Sequence, residues 1–204
     1  MMRLYIKPEA SSVLRVQAFI DACKETIETI EIAEPRSGEF RKINPFGTVP
    51  VLETPSGEII TESLTICRFL NEHWGAGLFG NNDETRLAVD QWDRRAELLF
   101  LIPGIEFVHQ THPMFARRMI QNPLWAQAIV VRAAEAIKPF EDRLSTSSFL
   151  AGGEFTIADI TFFIGIGAFA LPGGLDLDRF PGIQRWREYT SSLFAMQRLR
   201  QVGL

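Results

Sequence analysis

The sequence predicts a mixed α/β domain followed by an all-helical domain. Residues 1–78 alternate short β-branched runs with amphipathic helical stretches in the order β-α-β-α-β-β-α. No strand pattern follows Gly80, and from Glu84 onward the apolar residues recur at helical spacing. We therefore expect an α/β domain over residues 1–78 and an all-helical domain over residues 85–204, joined by a linker over residues 79–84.

Each element of the first domain has a local signal. Strands are predicted at residues 3–6, 27–32, 49–53 and 58–61. The last two flank Thr54-Pro55-Ser56-Gly57, a β-turn sequence that makes them an antiparallel hairpin. Ser63 is predicted to cap the third helix. The inward faces of the three helices are predicted to carry Val13, Val16, Ile20 and Cys23, then Phe40 and Ile43, then Ile66, Phe69, Leu70 and His73.

The second domain shows only helical periodicity. One helix is marked by Ala88, Trp92, Ala96 and Leu99, and another by Ile129, Ala133 and Ile137. Residues 160–171 are almost wholly apolar but are too few for the ~20 residues that span a bilayer. They are predicted to form a buried core helix, and no membrane partner is expected.

The composition excludes several classes of protein. Hydrophobic residues make up 46% and charged residues 23%, as in soluble globular domains. The 25 acidic and 21 basic residues give a net charge of −4, which argues against a nucleic-acid partner. Two cysteines, Cys23 and Cys67, are too few for a disulfide scaffold and match no metal motif. We expect a cytoplasmic protein without a metal, in which both cysteines are small buried residues.

Three local motifs accompany this order of elements. Residues 44–52 read Asn-Pro-Phe-Gly-Thr-Val-Pro-Val-Leu, Glu62-Ser63 precedes the third helix, and residues 155–159 read Phe-Thr-Ile-Ala-Asp. Together they resemble the glutathione transferase superfamily, whose members join a thioredoxin-like domain to a helical domain. The resemblance extends over essentially the whole chain. In the third motif, Thr156 and Asp159 are predicted to form a capping box with a structural role.

Glu62 and Ser63 suit a zwitterionic ligand. A serine at the start of a helix, with the first N–H groups of that helix, can hold a carboxylate, and a glutamate can pair with an ammonium group. A serine cap with an acidic neighbour would give the same pattern without any ligand. The resemblance favours binding of the γ-glutamyl end of glutathione.

The resemblance also assigns roles to the segment before the third strand. It implies a cis Val49–Pro50 bond and backbone hydrogen bonds from Val49 to the cysteinyl part of glutathione. Lys42 could reach the glycyl carboxylate, although a solvated lysine would fit the pattern as well. Gly47 departs from classes that place a polar contact there.

The reaction of the family needs a thiolate, so a donor must lower the pKa of the glutathione thiol. Ala10 stands where many serine-type members carry their catalytic serine. Ser11 stands where bacterial beta-class members carry a cysteine, so we predict Ser11 first and Ser12 second as the catalytic hydroxyl. Either serine could instead simply cap the first helix. Tyr5 is a weaker candidate, because strand parity turns it away.

The helical domain must supply an apolar wall for the second substrate. Trp92, Phe107 and Phe115 are candidates, although aromatic residues at helical spacing also form cores. The resemblance implies a homodimeric, detoxifying glutathione S-transferase that uses glutathione as co-substrate against a small hydrophobic electrophile. The alternative is a non-catalytic or weakly active relative that binds or regulates through protein contacts, which Ala10 and Gly47 favour.

Overall fold

The computed structural model describes residues 1–193 and residue 196. Two compact units, Met1–Gly77 and Leu78–Leu193, account for this part of the chain apart from Met196. The first is a thioredoxin-like unit with a mixed four-stranded sheet, and the second is helical. Within the described residues, no helix is both long enough and apolar enough to cross a membrane.

The sheet of the first unit has the strand order β2-β1-β3-β4. Strand β1 pairs parallel to β2 and antiparallel to β3, and β3 pairs antiparallel to β4. A parallel pair needs a long crossover, which α1 provides, whereas β3 and β4 need only the predicted tight turn. The bounds of the elements are β1 Arg3–Ile6, α1 Ser11–Ala22, β2 Glu28–Glu31, β3 Val51–Glu53, β4 Ile59–Thr61 and α2 Ser63–Trp74.

The order of elements in this unit follows the sequence prediction, with three local corrections. The second predicted helix is a single 3-10 turn, Phe40–Lys42, in which Phe40 is buried. The three later strands are shorter than predicted by one or two residues at their ends. His73 was expected on the inner face of α2, but it is exposed, and the buried face consists of Ser63, Ile66, Cys67, Leu70 and Asn71.

The helical unit is built around one fully buried helix. Every residue of α7 is buried, and its phenylalanines pack with Phe100, Phe140 and Trp186. A Cβ on Gly165 would lie 2.6 Å from the Leu101 nitrogen, so glycine permits the close approach of a π-helical turn, Glu97–Leu101. The helices are α3 Asp83–Ala96, α4 Ile102–Thr111, α5 Pro123–Ala136, α6 Lys138–Thr146, α7 Ile157–Phe169 and α8 Pro181–Ser192.

The capping box predicted at the start of α7 is present and extends into a larger network. The Asp159 carboxylate is fully buried and accepts hydrogen bonds from the Thr156 N–H and hydroxyl at 3.0 and 3.1 Å. It also accepts from the Leu150 N–H at 3.0 Å and from the Trp186 indole at 3.1 Å. One carboxylate therefore connects α7, α8 and the segment before α7.

We expect Asp159→Ala to destabilise the protein by about 3 kcal/mol, because three buried N–H donors lose their acceptor. Urea unfolding followed by circular dichroism would measure this change.

Burial raises the pKa of Asp159 from 3.8 to about 6. Between these values the folded protein binds the proton more tightly than the unfolded chain, so stability should fall as pH rises. Asp159→Asn should lose this slope, and an unaltered slope would contradict the assignment.

Candidate functional site

The start of α1 is tied to the segment that precedes β3. Ala10 lies before the helix in an extended conformation, and its carbonyl accepts from the N–H groups of Val13 and Leu14. The Ser12 hydroxyl donates to the Val49 carbonyl at 3.1 Å. Both serines are partly exposed, and no hydrogen bond of the Ser11 side chain is found among the described residues. The Ser12 hydroxyl therefore already donates its proton to a backbone carbonyl, whereas the Ser11 hydroxyl has no such acceptor among the described residues.

Hydrogen bonds of the Asn44 side chain hold the segment before β3 in place. This side chain is 1% exposed and donates to the Thr48 carbonyl at 2.8 Å and to the Thr48 hydroxyl at 3.1 Å. Its oxygen accepts from the Phe46 N–H at 3.2 Å. The Val49–Pro50 bond is cis, as the family resemblance implied. An asparagine that bonds to its own turn is a recognisable sequence signal, yet the sequence prediction gave Asn44 no role.

The Glu62–Ser63 pair differs from the predicted serine cap. Helix α2 begins at Ser63 itself, and Glu62 occupies the cap position with its carbonyl accepting from the Ile66 N–H at 2.9 Å. Glu62 has φ 66° and ψ 120°, a conformation that a non-glycine residue adopts only at a cost of about 1–3 kcal/mol. The prediction that Ser63 caps this helix was wrong, because its hydroxyl turns inward to a different partner.

That partner is Arg15, which sequence reasoning missed. Arg15 is 0% exposed, and its Nη1 lies 3.5 Å from the Ser63 Oγ, to which it donates. A fully buried arginine is rare and needs partners. The signal in the sequence was weak, because Arg15 stands on α1 between apolar residues that are buried as well. Arg15 thus holds the Ser63 side chain at the N-terminus of α2.

Helix α1 brings the predicted site residues of this unit together. Ser12 contacts Val49, and Arg15, one turn further along the same helix, contacts Ser63. Residues three apart lie on the same side of a helix, so one face of α1 touches both segments. The structure thus joins the two serines, Val49 and Ser63 in one region with N–H groups and a buried cation, which suits an anionic ligand.

Lys42 and Tyr5 have other partners. The Lys42 ammonium lies 2.8 Å from the Glu39 carboxylate, and its side chain is 71% exposed. The Tyr5 hydroxyl donates to Glu53 at 2.6 Å, and this hydrogen bond raises the pKa of Tyr5. A phenol that is held by a carboxylate and resists ionisation is a poor donor to a thiolate, in keeping with its low rank in the sequence analysis.

The two cysteines give no sign of a reactive thiol. Cys67 is buried. Cys23 is half-buried, and burial, with a smaller contribution from the charge of Glu25, raises the pKa of its thiol to about 12. A thiol with such a pKa is protonated at neutral pH and is a weak nucleophile. Across the described residues, no group of histidine, cysteine or acidic side chains is placed to hold a metal ion.

The three aromatic candidates of the helical unit occupy different environments. Phe107 is 1% exposed and stacks on Phe169, so it belongs to the core and has no surface to offer a substrate. Its proposed role in lining a substrate site was wrong for this reason. Trp92 is half-buried against Phe140, with the Arg95 guanidinium 5.0 Å from its ring. Phe115 is half-buried beside His109.

Two known families match the chain. The family described as Glutathione S-transferase, N-terminal domain matches residues 15–73, and the family described as Glutathione S-transferase, C-terminal domain matches residues 123–188. The chain belongs to the glutathione S-transferase superfamily.

Individual relatives agree with this assignment. The chain is 29% identical over 136 residues to Glutathione S-transferase 2 of Saccharomyces cerevisiae, covering 65% of this chain and 58% of that protein. It is 31% identical over 129 residues to probable elongation factor 1-gamma 2 of Arabidopsis thaliana, and this match covers 61% of this chain and 29% of that protein. The match thus spans less than two thirds of either relative. A class Gtt2 glutathione S-transferase of Vibrio parahaemolyticus has TM-score 0.83 and 28% identity, with 96% and 95% of the two chains covered.

Proposed function

We propose that the protein is a glutathione transferase that activates the glutathione thiol for attack on a small hydrophobic electrophile. The observation that carries the proposal is the pair of contacts made by α1, from Ser12 to Val49 and from Arg15 to Ser63. They bring a hydroxyl-bearing helix start next to a strand-like backbone and a potential carboxylate site. Glutathione needs all three, because it has a thiol, a peptide backbone and a zwitterionic end.

In this proposal the γ-glutamyl end binds at the start of α2. The Ser63 hydroxyl accepts from Arg15, so it keeps its own proton for donation to a carboxylate. The N–H groups at the start of α2 and the buried guanidinium add positive potential. Glu62 is exposed and pairs with the α-ammonium group. Its left-handed backbone, with φ 66°, is a strain of the kind that collects at binding sites.

The cysteinyl and glycyl parts follow along the chain. The Val49 backbone receives the cysteinyl peptide as an added strand would be received. The Val49 carbonyl accepts from Ser12 with one lone pair and has a second for the ligand. Lys42 holds the glycyl carboxylate after exchanging its exposed partner Glu39, which costs little because exposed ion pairs are weak.

The thiol is activated by Ser11. A serine hydroxyl has one proton, and that of Ser12 is donated to the Val49 carbonyl. Ser12 therefore positions the segment before β3, and Ser11 is left to donate to the sulfur. A hydrogen bond to the thiolate lowers the pKa of the thiol, because it stabilises only the charged form. Trp92 and Phe115 remain candidates for the wall of the second-substrate site.

The test is retention on immobilised glutathione combined with turnover of a chromogenic aryl halide. We expect retention that free glutathione reverses and a rate that depends on the protein. Absence of both retention and turnover would contradict the proposed function. A cytoplasmic, detoxifying role belongs to the same proposal.

A second candidate is a binding or regulatory protein that acts through protein contacts. The 31% identity to probable elongation factor 1-gamma 2 favours it, as do Ala10 and Gly47 at positions where catalytic relatives have polar contacts. Retention on glutathione without turnover of any electrophile would support this candidate over the enzyme.

We also propose that the protein is a homodimer. A groove of about 310 Å³ in the helical unit lies between the π-helical turn and α5. Exposed Leu98 lines it, and exposed Ile102 directly precedes Pro103, which also lines it. Exposed apolar patches on a protein surface commonly mark the contact site of a partner.

For the dimer, we expect light scattering to show twice the mass of one chain. The double variant Leu98→Asp with Ile102→Asp should give the mass of a single chain, because burying two carboxylates in an interface is costly. Ile120→Asp is the matched control, since Ile120 is an exposed isoleucine that lies after the end of α4 and does not line the groove. Retention of the dimer by the double variant would place the interface elsewhere.

A further inference from the structure

The connection between α4 and α5 exposes apolar side chains. We call residues 112–125, which include the first residues of α5, the α4–α5 connection. Ile120 is 95% exposed, Leu124 is 78% exposed, and Met114 and Trp125 are each more than two fifths exposed. Isolated exposed apolar residues are ordinary, but several large ones within one short segment indicate an interaction surface.

The polar side chains of this connection hold its shape. The Gln121 amide donates to the carbonyls of His109 and His112, both at 2.9 Å. Gln110, which is 8% exposed, accepts from the Asn122 N–H at 2.7 Å. The amide side chain of Gln121 and the backbone N–H of Asn122 are thus bonded to the protein, while large apolar side chains of the same segment are exposed to solvent. Specific hydrogen bonds therefore fix the backbone of the connection at Gln121 and Asn122.

The charge of this region is opposite to that of the chain as a whole. The sequence has 25 acidic and 21 basic residues, yet residues 107–134 contain no aspartate or glutamate. Arg117 and Arg118 are exposed within the connection. The nearest preceding acid, Glu106, accepts from the Gln110 amide at 2.8 Å and from the Trp125 indole at 3.2 Å. The exposed surface of the connection is therefore apolar and basic.

We propose that the α4–α5 connection is a peripheral docking surface for an anionic lipid bilayer. Exposed apolar side chains close to two exposed arginines match the order of layers in a bilayer surface, where acyl chains lie beneath anionic headgroups. A second copy fits less well, because a two-fold contact would set Arg117 and Arg118 near the same arginines of the partner. Glutathione has no part in this argument, so the inference does not depend on the proposed function.

The prediction that the protein has no membrane partner rested on the lack of a spanning segment. A docked surface needs none, because it inserts side chains only to the depth of the headgroups. The sequence signal was the absence of aspartate and glutamate from residues 107–134. This absence indicates a docking surface only together with the exposure of the apolar residues in the same segment.

The test is co-sedimentation of the full chain with vesicles of phosphatidylcholine that contain phosphatidylserine, compared with vesicles of pure phosphatidylcholine. We expect binding to the mixed vesicles that is at least about tenfold stronger and that weakens with salt. Ile120→Asp with Leu124→Asp should lower it at least about tenfold, and so should Arg117→Glu with Arg118→Glu.

Leu171→Asp is the matched control, because Leu171 is an exposed leucine outside the connection and should leave binding unchanged. Circular dichroism and the midpoint of urea unfolding would verify that each variant is folded. Three results would overturn the proposal: no binding to the mixed vesicles, equal binding to both kinds of vesicle, or a mass in light scattering that changes when the connection is mutated.

Discussion

Replacing Ser11 by alanine is expected to lower kcat by about 10²-fold while the Kd of glutathione changes by less than about threefold. In the proposed site the Ser11 hydroxyl stabilises the thiolate and not the thiol. Its loss should therefore raise the pKa of the bound thiol and leave the remaining contacts to glutathione in place. Steady-state kinetics with an aryl halide and calorimetric titration with glutathione would measure the two quantities separately.

Ser12→Ala is the matched control for this experiment. Ser12 donates to the Val49 carbonyl, so its loss should loosen the segment before β3 and weaken glutathione binding more than it lowers kcat. The ultraviolet absorbance of the thiolate against pH gives an independent readout, and its midpoint should rise in Ser11→Ala. An unchanged rate and midpoint in Ser11→Ala would contradict the assignment, and a larger loss in Ser12→Ala would transfer it to that residue.

Replacing Glu62 by glutamine should raise the Kd of glutathione about 30-fold, because the α-ammonium group loses a charged hydrogen-bond partner worth about 2 kcal/mol. The fold should be unaffected, since Glu62 is exposed. Calorimetric titration would measure the Kd. S-methylglutathione should show the same loss, because the change acts at the γ-glutamyl end and not at the sulfur.

Glu62→Gly separates binding from backbone strain. Glycine tolerates φ 66° better than glutamate, so this variant should unfold at an equal or higher urea concentration than the wild type. It should nevertheless bind glutathione as weakly as Glu62→Gln. If Glu62→Gly binds as tightly as the wild type, the carboxylate has no role in recognition, and the unusual backbone alone shapes the site.

Much of the fold was predictable because its elements have strong local periodicity. The β-α-β start, the hairpin around Thr54-Pro55-Ser56-Gly57 and the buried helix α7 all follow from patterns within a few residues. The second helix was overestimated, because a few helical-looking residues before Pro45 suffice only for one 3-10 turn. Phe107 was misassigned because helical spacing cannot distinguish a residue facing the core from one facing a ligand.

The candidate site combines residues that the sequence motifs suggest with contacts that only the structure shows. The motifs around Val49-Pro50 and Glu62-Ser63 are contiguous in the sequence, so a resemblance could identify them. Arg15 and Asn44 had no such signal, because each acts through one hydrogen-bonded partner that the sequence pattern does not reveal. The left-handed backbone of Glu62 was also hidden, since side-chain patterns do not report a positive φ on a non-glycine residue.

The sequence by itself determined the class of fold and the family, and it showed the hydroxyl, acid and backbone groups that we propose for glutathione. These depend on periodicity and on short motifs, which are local. Only the tertiary structure decided that Ser12 donates to Val49 and Ser63 accepts from Arg15. It also decided which side chains of residues 107–134, the segment without aspartate or glutamate, are exposed to solvent. Hydrogen-bond partners and exposure are set by segments far apart in the chain, so the packing of α1 and the α4–α5 connection was needed to assign them.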